Sequence, residues 1–119
     1  MSTHVAWMLN MQVIPGQLET LRALMTEMSA ATEANEPGTL DYEWSLSADG
    51  TTCDLWERYE DAAAALIHMA TFGERYASRF LSTLAPKRVT LYGAPNDAVR
   101  EGLAPFGAVY MAPAAGFSR

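Results

Sequence analysis

Apolar positions alternate through the first fourteen residues: Val5, Trp7, Leu9, Met11 and Val13 fall on one side, with His4, Ala6, Met8, Asn10, Gln12 and Ile14 on the other. A period of two predicts a strand over His4–Ile14 with one apolar and one mixed face. Pro15-Gly16 stops it, and Leu18, Leu21, Leu24, Met25, Met28 and Ala31 then recur at helical spacing while Glu19, Arg22 and Glu27 turn outward. Asn35-Glu36-Pro37-Gly38 ends that helix, because proline cannot continue the hydrogen-bond ladder and glycine accepts the turn. Thr39 to Ser47 alternates strictly, Leu40, Tyr42, Trp44 and Leu46 against Thr39, Asp41, Glu43, Ser45 and Ser47, which predicts a strand wet on one face. Ala48-Asp49-Gly50 reads as a hairpin, with the Asp-Gly pair supplying positive backbone torsions, and leads into a strand from about Thr52 to Tyr59. Asp61 is placed to cap a helix from Ala62 to about Thr71. Tyr76, Ala77, Phe80, Leu81 and Leu84 mark further helix before Pro86, and Arg88 to Tyr92 is the last strand of the series.

The order strand, helix, strand, strand, helix, strand predicts an α+β fold of the ferredoxin-like βαββαβ type: an antiparallel sheet with helices on one face. The other sheet face is left bare with Trp, Tyr and Met among its residues, so a second copy laid sheet to sheet is the expected cover. Residues 1–94 form this domain. Residues 95–119 are an extension with a short helix at Asp97–Leu103 and the apolar stretch Val109-Tyr110-Met111, expected to pack on the domain or on the dimer partner and to cover a pocket mouth.

Composition narrows the function classes. A chain of 119 residues suffices for one ordinary core, and 50% apolar against 18% charged residues is globular with little charge to spare, which again suggests a covered surface. Fourteen acids and eight bases give a net charge of -6. The bases stand singly except at Lys87-Arg88, so no basic stripe is available to phosphates, and nucleic acid is not an expected partner. Lone Cys53 and an amino terminus without a charged segment followed by an apolar run lead to the expectation of a reduced, cytoplasmic protein. No apolar run approaches the roughly 18 residues that cross a bilayer, so no membrane partner is expected.

Several stretches together resemble the antibiotic biosynthesis monooxygenase (ABM) family: strand one running into Val13-Ile14-Pro15-Gly16, the Gly38-Thr39-Leu40-x-Tyr42 strand, and Trp56-Glu57-Arg58-Tyr59-x-Asp61-x-x-Ala64-x-x-x-His68. The resemblance covers about Val5 to Tyr92. It implies a dimeric α+β barrel, a homodimer, and a cofactor-independent monooxygenase of small aromatic or quinol-like molecules. A proton-shuttling isomerase or lyase and a non-catalytic small-molecule-binding domain are the alternatives, since the family's chemistry is broader than its name.

Glu57 and His68 are the candidate catalytic pair. Glu57 shares its strand face with Cys53, Leu55 and Tyr59, which would set a carboxylate among uncharged neighbours, able to accept or hold a proton. The plainer reading is a structural carboxylate bonded to a backbone amide or to an arginine such as Arg58 or Arg88. His68 follows Ala64 and Ala65 on the same helical face, so methyl groups flank its imidazole and either draw the helix onto the sheet or leave room for a ligand. Against this stands a histidine simply satisfied by a carbonyl or carboxylate. By resemblance His68 would be the base that takes a phenolic proton, while Asn10 and Tyr59 would hold substrate and dioxygen; many relatives have tryptophan where Tyr59 stands. Trp7 and Trp44, with Met8, Met11 and Met69, suit either a flat apolar substrate or an ordinary core. No metal-ligand spacing, phosphate loop or nucleophile elbow occurs, so no metal, flavin or nucleotide cofactor is expected. By the resemblance, haem-degrading relatives place an axial histidine on the later helical stretch, where this chain has Tyr76, Ser78 and Arg79 and no histidine after His68, so no haem is expected either.

Overall fold

The computed structural model describes residues 2–119. Its elements are β1 (Val5–Val13), α1 (Leu18–Asn35), β2 (Thr39–Leu46), β3 (Thr52–Tyr59), α2 (Ala62–Arg75), α3 (Ala77–Thr83), β4 (Leu84–Gly93), α4 (Asp97–Leu103), a short 3-10 turn at Ala104–Phe106, and β5 (Val109–Met111). The first four strands lie in the order β2-β3-β1-β4 and pair antiparallel, the ferredoxin-like arrangement; no helix is long and apolar enough to cross a membrane among the described residues.

Each element forms for a local reason. The α1 stripe buries Leu21, Leu24 and Met28 against the sheet, each contributing roughly 1.5–3 kcal/mol through removal of apolar surface from water. Asp61 caps α2, its carboxylate accepting the Ala64 amide at 2.8 Å. In the hairpin only Gly50 takes positive φ, at 72°, whereas Asp49 stays in ordinary backbone space and instead accepts from the Thr51 amide at 3.0 Å and from the Ser47 and Thr51 hydroxyls. The Asx geometry of that side chain replaces the second positive torsion expected of the pair.

Two differences from the sequence pattern have physical causes. Strand β4 starts at Leu84 instead of Arg88 and runs through Pro86, which was expected to lie outside a strand. Proline is tolerated there because the register breaks between Asn10 and Met11, paired with Arg88 and Pro86, leaving Lys87 in a bulge. The sheet is also mixed, not antiparallel throughout: β5 adds to β4 in parallel, with Thr90 opposite Val109 and Tyr92 opposite Met111. A parallel neighbour needs a crossover, and α4 with its following turn supplies one from the extension. Tyr110 fixes the strand by donating its hydroxyl to the Gly93 carbonyl at 2.6 Å, and the Arg100 guanidinium lies 4.1 Å from the Tyr110 ring centre.

The helix side of the sheet carries two packed clusters. One gathers Met11, Leu24, Met28, Leu55 and Phe80 under α1 and α3, and the other gathers Val5, Trp7, Ala65, Leu91 and Leu103 under α2 and α4. A cavity opens where the two meet.

Candidate functional site

The cavity has a volume of about 330 Å³ and is lined almost wholly by apolar groups from both clusters, among them Leu9, Met28, Leu55, Phe72 and Phe80. Its ionisable lining residues are Glu57, His68 and Tyr42. Glu57 arrives because β3 alternates with its odd-numbered residues inward, and His68 because it follows Ala64 and Ala65 on the buried stripe of α2.

The two candidate catalytic residues are in direct contact, and a third joins them. His68 Nε2 lies 3.2 Å from Glu57 Oε1, and His68 Nδ1 lies 2.8 Å from Glu36 Oε1. All three side chains are buried. Glu57 also accepts from Trp7 Nε1 at 2.7 Å and from the Tyr59 hydroxyl at 2.5 Å. The arginines considered as its partners lie elsewhere: Arg58 pairs with Asp41 at 2.7 Å on the opposite sheet face. Glu36 reaches the ring because the segment after α1 packs tightly on α2, where a Cβ on Gly38 would stand 2.6 Å from the Ala64 methyl. The small residues beside His68 therefore draw a carboxylate onto it.

The electrostatics follow from this line of groups. Burial is the largest influence on His68 and opposes a charged ring, but hydrogen bonds to Glu36 and Glu57 and the charges of both carboxylates outweigh it, raising the pKa to about 9. At neutral pH the ring is thus an imidazolium that donates from both nitrogens. The resemblance implies a base at this position; a ring protonated on both nitrogens has no free lone pair with which to accept a proton. Burial, then the Glu57 charge, raises the pKa of Tyr59 and of Tyr42, so both remain neutral phenols. Cys53 is also buried, which with the Asp54 charge pushes its thiol up to about 11. Among the described residues, the buried Tyr42 hydroxyl and Trp44 Nε1 find no hydrogen-bond partner.

Of the residues singled out in the sequence, Trp7, Glu57, His68 and Met69 meet at the cavity. Tyr59 stands behind them, fully buried, its ring 4.8 Å from Trp7 and 5.5 Å from His68. Trp44 is on the same sheet face but packs beyond the cavity, 6.0 Å from both Phe80 and Tyr42. Asn10 lies on the other face, where its amide donates to Asp54 at 2.9 Å, away from the cavity. Sequence reasoning passed over Glu36, which reads as part of a helix stop, and over Leu103 and Phe106 of the extension, which line the cavity. The signal for Glu36 was weak, since 32 residues separate it from His68 and nothing in its own segment shows that it is buried. Among the described residues, no three His, Cys, Asp or Glu side chains are disposed to hold a metal ion.

The family model described as "Antibiotic biosynthesis monooxygenase" matches residues 5–77. No curated protein matches the chain in sequence. Among solved structures, MupZ from Pseudomonas fluorescens superposes with a TM-score of 0.85 at 24% identity, over 99% of this chain and 96% of that one. SnoaB, a cofactor-independent oxygenase from Streptomyces nogalater, gives a TM-score of 0.66 at 15% identity, covering 80% and 96%. Rv0793 from Mycobacterium tuberculosis gives 0.59 at 26%, covering 80% and 98%. The SnoaB and Rv0793 likenesses leave about a fifth of this chain uncovered, whereas the MupZ likeness spans nearly all of it, so the fold is similar to that of MupZ through the extension as well.

Proposed function

The chain belongs to the antibiotic biosynthesis monooxygenase family, and from that premise we propose that it is a cofactor-independent acid-base catalyst acting on a small, largely apolar molecule. One observation carries the reading: a buried imidazole bonded through both nitrogens to buried carboxylates, at the wall of an otherwise apolar cavity. An oxygen of the substrate, carbonyl or hydroxyl, lies against this wall. On binding, the His68 Nε2–H, which donates to Glu57 Oε1 at 3.2 Å in the free protein, is shared with the substrate oxygen, while the Glu57 carboxylate takes a proton from the substrate, and the dry walls strengthen both interactions. Glu36 does not line the cavity; it orients the ring and keeps it charged, as a carboxylate behind a histidine does in other acid-base sites. The test is incubation in deuterium oxide with an enolisable bicyclic ketone such as tetralone. Deuterium entering carbon with or without air, and lost in Glu57→Gln and His68→Gln, is the expected result. Exchange at the same rate in both variants and the parent protein sinks the reading.

A second reading is that of a cofactor-independent monooxygenase, supported by the family's description and by the likeness to SnoaB, with an anthrone or dihydroxynaphthalene as the substrate to try. There Glu57 takes the acidic proton, the substrate anion passes an electron to dioxygen, and recombination followed by loss of water leaves a quinone. Product that forms equally well under argon excludes it. We also propose a homodimer through the bare sheet face, where Met8, Trp56 and Tyr92 lie among the Asn10–Asp54 and Asp41–Arg58 pairs. Sedimentation equilibrium checks this, and a monomer at micromolar concentration overturns it.

A further inference from the structure

Exposure grades along the cavity wall. Trp7, Leu55, Glu57 and His68 are buried at its inner end, whereas Gly73 of α2 and Gly102 of α4 are exposed, which sets them at the mouth. These two glycines differ in what explains them. A Cβ on Gly102 would stand 2.1 Å from the Met69 Cε, so the contact of α4 with α2 accounts for the missing side chain. A Cβ on Gly73 would meet nothing within 4 Å. Gly73 has no positive φ, and it lies within α2, before the helix ends at Arg75, where glycine is a poorer residue than alanine. Neither packing nor backbone geometry asks for glycine there. Gly73 lines the cavity and sits one helical turn after Met69 on the same face of α2, so a side chain added there enters open space at the cavity mouth.

The lining also restricts what lies inside. Glu57 and His68 are its charged members, with Glu36 behind the ring, so two carboxylates face one imidazolium. No lysine or arginine is among the lining residues to receive an anionic group.

We propose that Gly73 determines substrate specificity by keeping the mouth open for an elongated ligand, whose uncharged, oxygen-bearing end lies against Glu57 and His68 and whose apolar tail leaves over Gly73. The placement of the oxygen-bearing end rests on the acid-base reading above; the exit over Gly73 rests on the wall alone. Para-ethylphenol, para-hexylphenol and para-nonylphenol are suitable probes, because the hydroxyl can donate to Glu57 while the chain length varies. Calorimetric affinities in the parent protein are expected to rise by about fourfold per methylene while the chain is still being buried. In Gly73→Leu the hexyl and nonyl compounds lose at least about tenfold while the ethyl compound changes less than about twofold, because only a tail that reaches the mouth meets the new side chain. Gly73→Ala, which improves the helix, is expected to melt no lower than the parent and to weaken the long chains only slightly. Glu74→Leu, exposed on the same turn but absent from the lining, places the same leucine outside the cavity and leaves the series unchanged.

Equal loss for short and long chains in Gly73→Leu, or no loss for either, overturns the proposal. So does a parent protein whose affinity does not grow with chain length. Because the readout is binding, a failure of the isotope-exchange experiment leaves this result standing, and the converse holds as well.

Discussion

At the scale of single residues, His68 ties the site to pH. Its pKa is raised from the ordinary 6.5 to about 9 in the folded chain, so the folded state holds the proton more tightly than the unfolded state does. That contribution is fully present below about pH 6.5 and is lost as pH rises through 9, amounting to about 3 kcal/mol for a shift of this size. Urea titrations at pH 6.5 and 9.5 should therefore show a fall in stability. In Glu36→Gln the fall should be much smaller, with the ring titrating nearer its ordinary value by NMR. A parent protein equally stable at both pH values contradicts the ion-paired imidazolium. Glu57→Ala is expected to be worse than either change, destabilising by roughly 3–5 kcal/mol, because it strands the imidazolium, the Trp7 indole and the Tyr59 phenol without their common acceptor. Tyr42→Phe is expected to do the reverse of most core substitutions. It removes a buried hydroxyl that has no partner, so thermal unfolding should be unchanged or shifted upward by up to about 1 kcal/mol.

At the scale of elements, α2 positions the site and its start is the point to test. Asp61→Ala removes the cap on the Ala64 amide and should cost about 1 kcal/mol. Because Ala64 packs on Gly38 at the same turn, loosening it should also lower the NMR-measured His68 pKa by letting Glu36 withdraw. An unchanged ring titration would separate the cap from the site. This coupling also shows what the chain's pattern could reveal. Alternation placed Glu57 inward and helical spacing placed His68 beside Ala64 and Ala65, because both are periodic signals of burial. Glu36 has no such signal, since it lies in an irregular segment whose position is set by a glycine-to-alanine contact between distant parts of the chain. Asn10 illustrates the converse: its place in β1 was clear, but strand parity puts it opposite Trp7 and Leu9, on the face away from the cavity.

Taken as a whole molecule, the fold was legible because six periodic segments in a fixed order permit few topologies. Less legible were the bulge at Pro86 and the parallel pairing of β5, both decided by tertiary context: a proline that a register shift accommodates, and three residues too few to show a period. The cavity likewise belongs to the whole, since its walls come from β1 to β4, all four helices and the turn after α4.

The pairing of β5 with β4 has a practical side. A variant trimmed after Gly93 to match the core domain would lose Leu103 and Phe106 from the cavity wall and leave β4 with an open row of amides and carbonyls. Such a shortened protein should precipitate or self-associate on concentration, so any truncation or affinity handle has to leave β5 in place.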